Sequence, residues 1–257
     1  MIVFDQVSKR YSPTQAPVLD HFSLQIEEGS FCVLLGRSGA GKSTALKLVN
    51  RMIEPSAGRV LVAGTDVTAH DPYELRRSIG YVLQRIGLLP HLNVAQNVAL
   101  VPSLSGWPAA RSAERTQELL NLVELPPSEF GERMPAELSG GQQQRVAVAR
   151  ALAAKPRVLL MDEPFGALDP VTRAGLRRRV AKIQRRLGLT TVMVTHDVLE
   201  ALLLADQIVV MDRGRIVQRG TPRELWTSPA TSFVERLLMT SREDFQELER
   251  IFGATSP

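Results

Sequence analysis

Apolar positions in the first third of the chain come in short runs broken by turn residues. Phe22, Leu24 and Ile26 alternate with polar neighbours before Glu27-Glu28-Gly29, and Val60-Leu61-Val62 lies between Gly58 and Gly64, so both stretches predict strands. Phe31-Cys32-Val33-Leu34-Leu35 is unbroken and ends at a glycine, the pattern of a strand buried on both faces. Cys32 reads there as a small core residue and not as a redox centre. From about Arg85 to Pro156 the period lengthens. Pro102–Pro108 carries proline and glycine punctuation, Leu119, Leu122 and Val123 recur at helical spacing, Pro126-Pro127 follows, and a second helical stretch runs from Gly141 to Ala154. Strand-like runs return at Val158–Met161 and Thr191–Val194 with a helix between them. Strands at both ends and a helical block between predict a parallel α/β core carrying a helical insertion.

The helix between those last two strands has its own pattern. Leu176, Val180, Ile183 and Leu187 recur at i, i+4, i+7 and i+11 within Val171–Leu189, which predicts an amphipathic helix. Its outer face carries Arg173, Arg177, Arg178, Arg179, Lys182, Arg185 and Arg186, with no acid in the stretch. A solvated face is the first reading; anionic lipid or an acidic partner comes next, and nucleic acid last.

Composition narrows the class. The chain has 257 residues, 44% apolar and 23% charged, which excludes collagen, low-complexity disorder and disulfide scaffolds. One cysteine forms no internal disulfide and suits a reducing compartment. The net charge of +4 permits an anionic partner without requiring one. Met1–Tyr11 mixes acid and base and lacks the apolar core of a signal peptide. Val192–Met211 comes nearest to a membrane span, but His196, Asp197, Glu200 and Asp206 interrupt it. The chain is therefore expected to be soluble by itself and to reach a membrane only through a partner.

Gly36-Arg37-Ser38-Gly39-Ala40-Gly41-Lys42-Ser43 fits G-x-x-x-x-G-K-[ST] at every fixed position. A buried strand precedes it and a helical pattern, Thr44 to Met52, follows. Glycines let backbone amides turn inward around an anion, and the helix N-terminus adds a favourable dipole. Lys42 then brings a charge to the β- and γ-phosphates, while the Ser43 hydroxyl is a ligand for Mg²⁺. A chance match in a chain of this length has a probability of roughly one per cent.

Val158-Leu159-Leu160-Met161-Asp162-Glu163 predicts a buried strand ending in two carboxylates. Neighbouring side chains on a strand point oppositely, so Asp162 and Glu163 divide the work unless the chain turns there, and Pro164 favours a turn. Ligands bind beyond the carboxyl ends of strands in open α/β sheets. Asp162 is thus the outer partner of Mg²⁺, and Glu163 the group to polarise an attacking water. His196, after the third strand, and Gln84, at the end of Ile79–Leu83, say little alone.

Together with Leu138-Ser139-Gly140-Gly141-Gln142, these motifs resemble the ATP-binding subunits of ATP-binding cassette (ABC) transporters, whose signature is that pentapeptide. The resemblance covers about residues 1–225 and implies a P-loop NTPase core of the ABC ATPase type. That fold is a mainly parallel sheet with an antiparallel strand region and a helical subdomain inserted. It divides the chain into a catalytic core, 1–84 and 157–225, a helical signature subdomain, 85–156, and a short C-terminal helical tail, 226–257. Two subunits would dimerise head to tail, each ATP lying between one phosphate loop and the signature of the other copy, Ser139, Gly140, Gly141 and Gln142. Ser139 offers a hydroxyl and the two glycines offer amides at a helix start, a second anion site. Residue by residue, Tyr11 would stack on adenine and Gly36 through Thr44 would hold the phosphates. Gln84 would touch Mg²⁺ and the attacking water. Glu163 would be the general base, His196 the switch at the γ-phosphate, and Leu168-Asp169 would cross the dimer interface.

The segment Ile79–His91 looks most like subunits that import glycine betaine, choline and related osmoprotectants. Leu89 stands where that group often has phenylalanine, and Arg85 adds a charge beside Gln84. Only about thirty residues follow Trp226, too few for the tandem regulatory module of many such subunits. Phe245, Leu248, Ile251 and Phe252 predict a short amphipathic helix; packing on its own dimer is the first reading and a regulatory contact the second. The resemblance further implies a second copy or a paralogous ATPase subunit, integral membrane permease subunits, an extracytoplasmic solute-binding protein and a place on the cytoplasmic face of the membrane. No nucleic acid is expected. Another importer substrate (an amino acid, another amine or a small anion), an exporter, and a soluble ABC ATPase acting on DNA or ribosomes are the alternatives.

Overall fold

A computed structural model describes residues 1–84, 86–166 and 168–239. Strands β1 (Ile2–Lys9), β2 (Leu19–Ile26) and β3 (Phe31–Leu35) precede helix α1 (Lys42–Val49). β4 (Ala57–Val62), β5 (Thr65–Asp66), α2 (Pro72–Ser78) and β6 (Ile79–Val82) follow. Next come four helices, α3 (Val94–Leu104), α4 (Ala109–Leu122), α5 (Pro127–Phe130) and α6 (Gly140–Leu152). The remainder is β7 (Val158–Asp162), α7 (Pro170–Leu187), β8 (Thr190–Thr195), α8 (Val198–Leu204), β9 (Gln207–Asp212), β10 (Arg215–Gly220) and α9 (Pro222–Thr227), with residues 232–239 also helical.

The strands form two sheets. One has the order β10-β9-β3-β8-β7-β6 and is parallel from β9 to β6; the other is antiparallel with the order β2-β1-β4-β5. The unbroken apolar runs are the central strands of the larger sheet, and their alternate residues enter two cores. Phe31, Val33 and Leu35 face the helices of the insertion and α7, whereas Cys32 and Leu34 face α1 and the antiparallel sheet. Cys32 is fully buried, and burial pushes its thiol up to about 12, so it stays protonated and inert.

Two boundaries differ from the sequence reading. α1 begins at Lys42 and ends at Val49, not Met52, because Arg51 takes a left-handed backbone and Met52 N–H folds back onto the Lys47 carbonyl. Leu187 is 39% exposed and does not join Leu176, Val180 and Ile183 in the core. Gly188, at φ 61°, turns the chain at the end of α7, and Leu189 takes the buried place instead. Among the described residues no helix is long and apolar enough to cross a membrane. Arg85, Ala167 and the predicted helix through Phe245, Leu248, Ile251 and Phe252 lie outside the described residues.

Candidate active site

Sheet register gathers the predicted site. Leu35 pairs with Thr195 across β3 and β8, so Gly36 and His196 leave neighbouring strands at one level. Asp162 pairs with Val194, and Val82 with Met161, which sets Glu163 beside the β8 end and Gln84 beside Glu163. Four adjacent parallel strands therefore deliver the phosphate loop, His196, the carboxylate pair and Gln84 to one edge.

The loop Gly36–Gly41 needs its glycines. A Cβ on Gly36 would meet the Met211 carbonyl oxygen at 2.3 Å. Gly41 has φ 97°, and a Cβ there would lie 2.6 Å from the Val18 carbonyl oxygen. Gly41 is also the residue before α1, whose first turn has no side-chain cap, leaving those amides open to an anion. Lys42 curls back over the loop: its Nζ donates to the Gly36 carbonyl at 2.7 Å and the Arg37 carbonyl at 2.9 Å. Burial lowers the Lys42 pKa, while the charges of Glu163 and Asp162 oppose that shift. The Thr44 hydroxyl, in the first turn of α1, lies 3.4 Å from the hydroxyl of Tyr11, a residue that is 56% exposed.

Ser43 Oγ donates to Asp162 Oδ1 at 2.9 Å. Asp162 is buried at the end of β7, and burial raises its pKa against the lowering effect of the Ser43 hydroxyl. The same buried corner pushes the Tyr81 phenol up to about 12, by burial and then by the charge of Asp162. Glu163 has φ 45°, a left-handed backbone rare for a side chain of this kind. The strand thus ends at Asp162 and the chain turns at Glu163, which keeps both carboxylates at the phosphate-loop end of the sheet, where both charges act on Lys42. Glu163 N–H donates to the Val194 carbonyl at 3.0 Å and fixes the turn. Its carboxylate stands between two groups, with Gln84 Nε2 at 3.2 Å from Oε2 and His196 Nδ1 at 3.3 Å from Oε1.

A buried pair missed at the sequence level supports His196. Thr195 Oγ1 donates to Glu200 Oε2 at 2.6 Å and accepts from Asp197 N–H at 3.0 Å, while Asp197 Oδ1 caps α8 through Glu200 N–H at 3.1 Å. Asp197-x-x-Glu200 before an apolar run was the available signal, a helix-start pattern. Arg173, on the basic helix, also reaches this turn. It donates to the Leu168 carbonyl at 3.0 Å and lies 3.8 Å from Asp197, so it ties α7 to the histidine turn and is not part of a free basic face. Arg179 is likewise paired, with Glu124.

The signature residues sit elsewhere. Ser139 caps α6, accepting from Gln142 N–H at 3.3 Å, and Gln142 Oε1 accepts in return from Ser139 N–H at 2.9 Å. A Cβ on Gly141 would meet Thr172 Cγ2 at 2.4 Å, so this helix start abuts the start of α7. There Asp169 Oδ1 accepts from Val171 and Thr172 N–H at 3.1 and 3.0 Å, and Thr172 above all lowers its pKa. No hydrogen bond among the described residues joins Ser139, Gly140, Gly141 or Gln142 to the phosphate loop.

Residues 19–166 match the ABC transporter family. The chain is 49% identical over 260 residues to the glycine betaine/carnitine/choline transport ATP-binding protein OpuCA of Bacillus subtilis (strain 168), covering 99% of this chain and 68% of that protein. It is 52% identical over 236 residues to the glycine betaine uptake system ATP-binding protein YehX of Escherichia coli (strain K12), covering 92% and 76%. It is also similar to the ATP-binding cassette MJ0796, solved as a dimer in a post-hydrolysis state bound to ADP and Pi. That match has a TM-score of 0.78 and 34% identity, over 87% of this chain and 99% of the other. With its phosphate loop, carboxylate pair and signature on the expected strands and helix, this chain belongs to the ABC transporter family.

Proposed function

We propose that the chain is the ATP-hydrolysing motor subunit of an importer for glycine betaine- and choline-type osmoprotectants. The observation that carries the motor reading is the Glu163 carboxylate, held between Gln84 and His196 at the strand edge that also carries the phosphate loop. In this reading Tyr11 stacks on adenine, the amides of Gly36 through Thr44 surround the phosphates, and Lys42 exchanges its two loop carbonyls for β- and γ-phosphate oxygens. Ser43, Asp162 (through water) and Gln84 would hold Mg²⁺. The fit rests on chemistry: the donors are oxygens, which suit a hard cation, and Asp162 is a buried carboxylate hydrogen-bonded to the Ser43 hydroxyl. When bound, Mg²⁺ neutralises charge on the β- and γ-oxygens. Glu163 accepts a proton from water as that water attacks the γ-phosphorus, and ADP and phosphate form. His196 contacts the γ-phosphate and is oriented by Glu163 and by the Thr195 turn.

Separation of the signature from the phosphate loop within one chain supports a head-to-tail pair, as does likeness to a dimeric cassette. Each copy then gives Ser139, Gly140, Gly141 and Gln142 to the other's ATP, and Asp169 meets the partner. A paralogous subunit could take the second place. Permease subunits in the membrane, a solute-binding protein outside and a position on the cytoplasmic face complete the reading. The transport and uptake functions named for the relatives favour import over export and over action on DNA or ribosomes. Uptake of labelled glycine betaine is the test, in cells carrying the subunit with its native membrane partner. Saturable uptake, competed by choline and lost with Glu163→Gln, is expected. Equal uptake with and without the substitution, while the purified subunit hydrolyses ATP, would remove the substrate and keep the motor.

A further inference from the structure

The described residues after α9 are packed into the ATPase, and one of them reaches the phosphate loop. Val234 and Leu238 are fully buried in the core beneath α8 and α9, with Phe233 and Leu237 packed against the same cluster. From that anchored helix the Phe233 ring meets the guanidinium of Arg37, whose Cζ lies 5.7 Å from the ring centroid, within cation–π range. Arg37 is the first variable residue of the phosphate loop. Its carbonyl accepts from Lys42 Nζ at 2.9 Å and from Ala40 N–H at 3.2 Å. The loop is braced from the same side by the β9–β10 turn, where Gly214 N–H donates to the Ala40 carbonyl at 3.1 Å. Ala40, Arg213, Phe233 and Arg236 line a cavity of about 510 Å³ at the same junction.

We infer that Phe233 is a positioning residue for ATP binding: by holding the Arg37 side chain it fixes the Arg37 peptide and with it the shape of the loop that receives the phosphates. The inference rests on ATP occupying the phosphate loop. The helix after α9 is then a working part of the ATPase and not an appendage to it. A side chain on an exposed, glycine-flanked loop loses freedom on docking, and that ordering precedes nucleotide binding instead of accompanying it.

The test is calorimetric titration of the full chain with ATP and Mg²⁺. Phe233→Leu keeps apolar bulk and removes the ring; it is expected to raise the ATP Kd about two- to fivefold, equivalent to about 0.5–1 kcal/mol. Phe233→Tyr retains the ring face and should keep the wild-type Kd. Once Arg37→Gln has removed the cation, adding Phe233→Leu should change Kd no further. An unchanged Kd in Phe233→Leu, or the same rise in the Arg37→Gln background, overturns the inference. Absence of ATP binding by the wild-type chain would instead overturn the nucleotide-site assignment beneath it.

Discussion

Thr195→Val is the most direct probe of the support behind His196. The side chain is 2% exposed, so valine of nearly equal size fits, but the hydroxyl's two bonds are lost. One bond goes to a carboxylate, a class of contact worth about 1.5–3 kcal/mol, and the Asp197 amide loses its acceptor as well. The expected loss of stability is about 2–4 kcal/mol, read from urea midpoints at constant slope. Its pH dependence is the sharper readout. Burial holds the Glu200 carboxyl above the usual range, and the Thr195 hydroxyl pulls it partly back. With the folded pKa above the unfolded one, the folded chain binds the extra proton between the two values. Stability therefore declines as pH rises through that window and stays lower above it. Removing Thr195 widens the window, so the loss should be larger at pH 8 than at pH 4.5. Because Asp197 follows His196 directly, kcat should also fall, by up to about 10²-fold if the ring shifts by about 1 Å. Equal losses at the two pH values, or a loss below about 0.5 kcal/mol, would refute the reasoning.

Three further outcomes are expected. Glu163→Gln should bind ATP with near wild-type affinity by calorimetry while steady-state phosphate release falls by about 10²–10⁴-fold, the usual contribution of a general base. Lys42→Ala should raise the ATP Kd by about ten- to a hundredfold, the equivalent of a charge-assisted bond of about 1.5–3 kcal/mol; an unchanged Kd would remove Lys42 from the phosphate role. Gly41→Ala forces a Cβ against the Val18 carbonyl at φ 97° and should cost about 1–3 kcal/mol, seen as a lower melting temperature without added nucleotide.

What the sequence revealed follows from where its signals are local. β3, β7 and β8 are legible because strands buried on both faces are uniformly apolar, and the phosphate loop because its glycines answer to local backbone geometry. The Glu163 turn was foreshadowed by Pro164, whose effect falls on its own neighbour. β1 went unread because Gln6, at φ 49°, sits in a pairing irregularity between Phe4 and Val7 that breaks the alternation. The Thr195–Glu200 bond, the Arg173 tether and the Phe233–Arg37 contact join side chains whose meaning lies in three-dimensional neighbours. Arg173 looked like one of seven solvated cations because helical periodicity gives the face of a residue, not what lies across from it.

The level alignment of Gly36, His196, Glu163 and Gln84 makes the hydrogen-bond ladder a ruler. Its graduations are the strand spacing, about 4.8 Å, so four neighbouring tips span about 14 Å whatever the helices do. One residue added inside β7 would advance Asp162 by about 3.3 Å and turn it to the opposite face, a double error that no side-chain adjustment repairs. The same residue added near Trp107, between α3 and α4, lengthens a connection and leaves every graduation in place. Indels should therefore divide sharply by address: lethal to turnover within a few residues of the tips, and silent in the turn between α3 and α4.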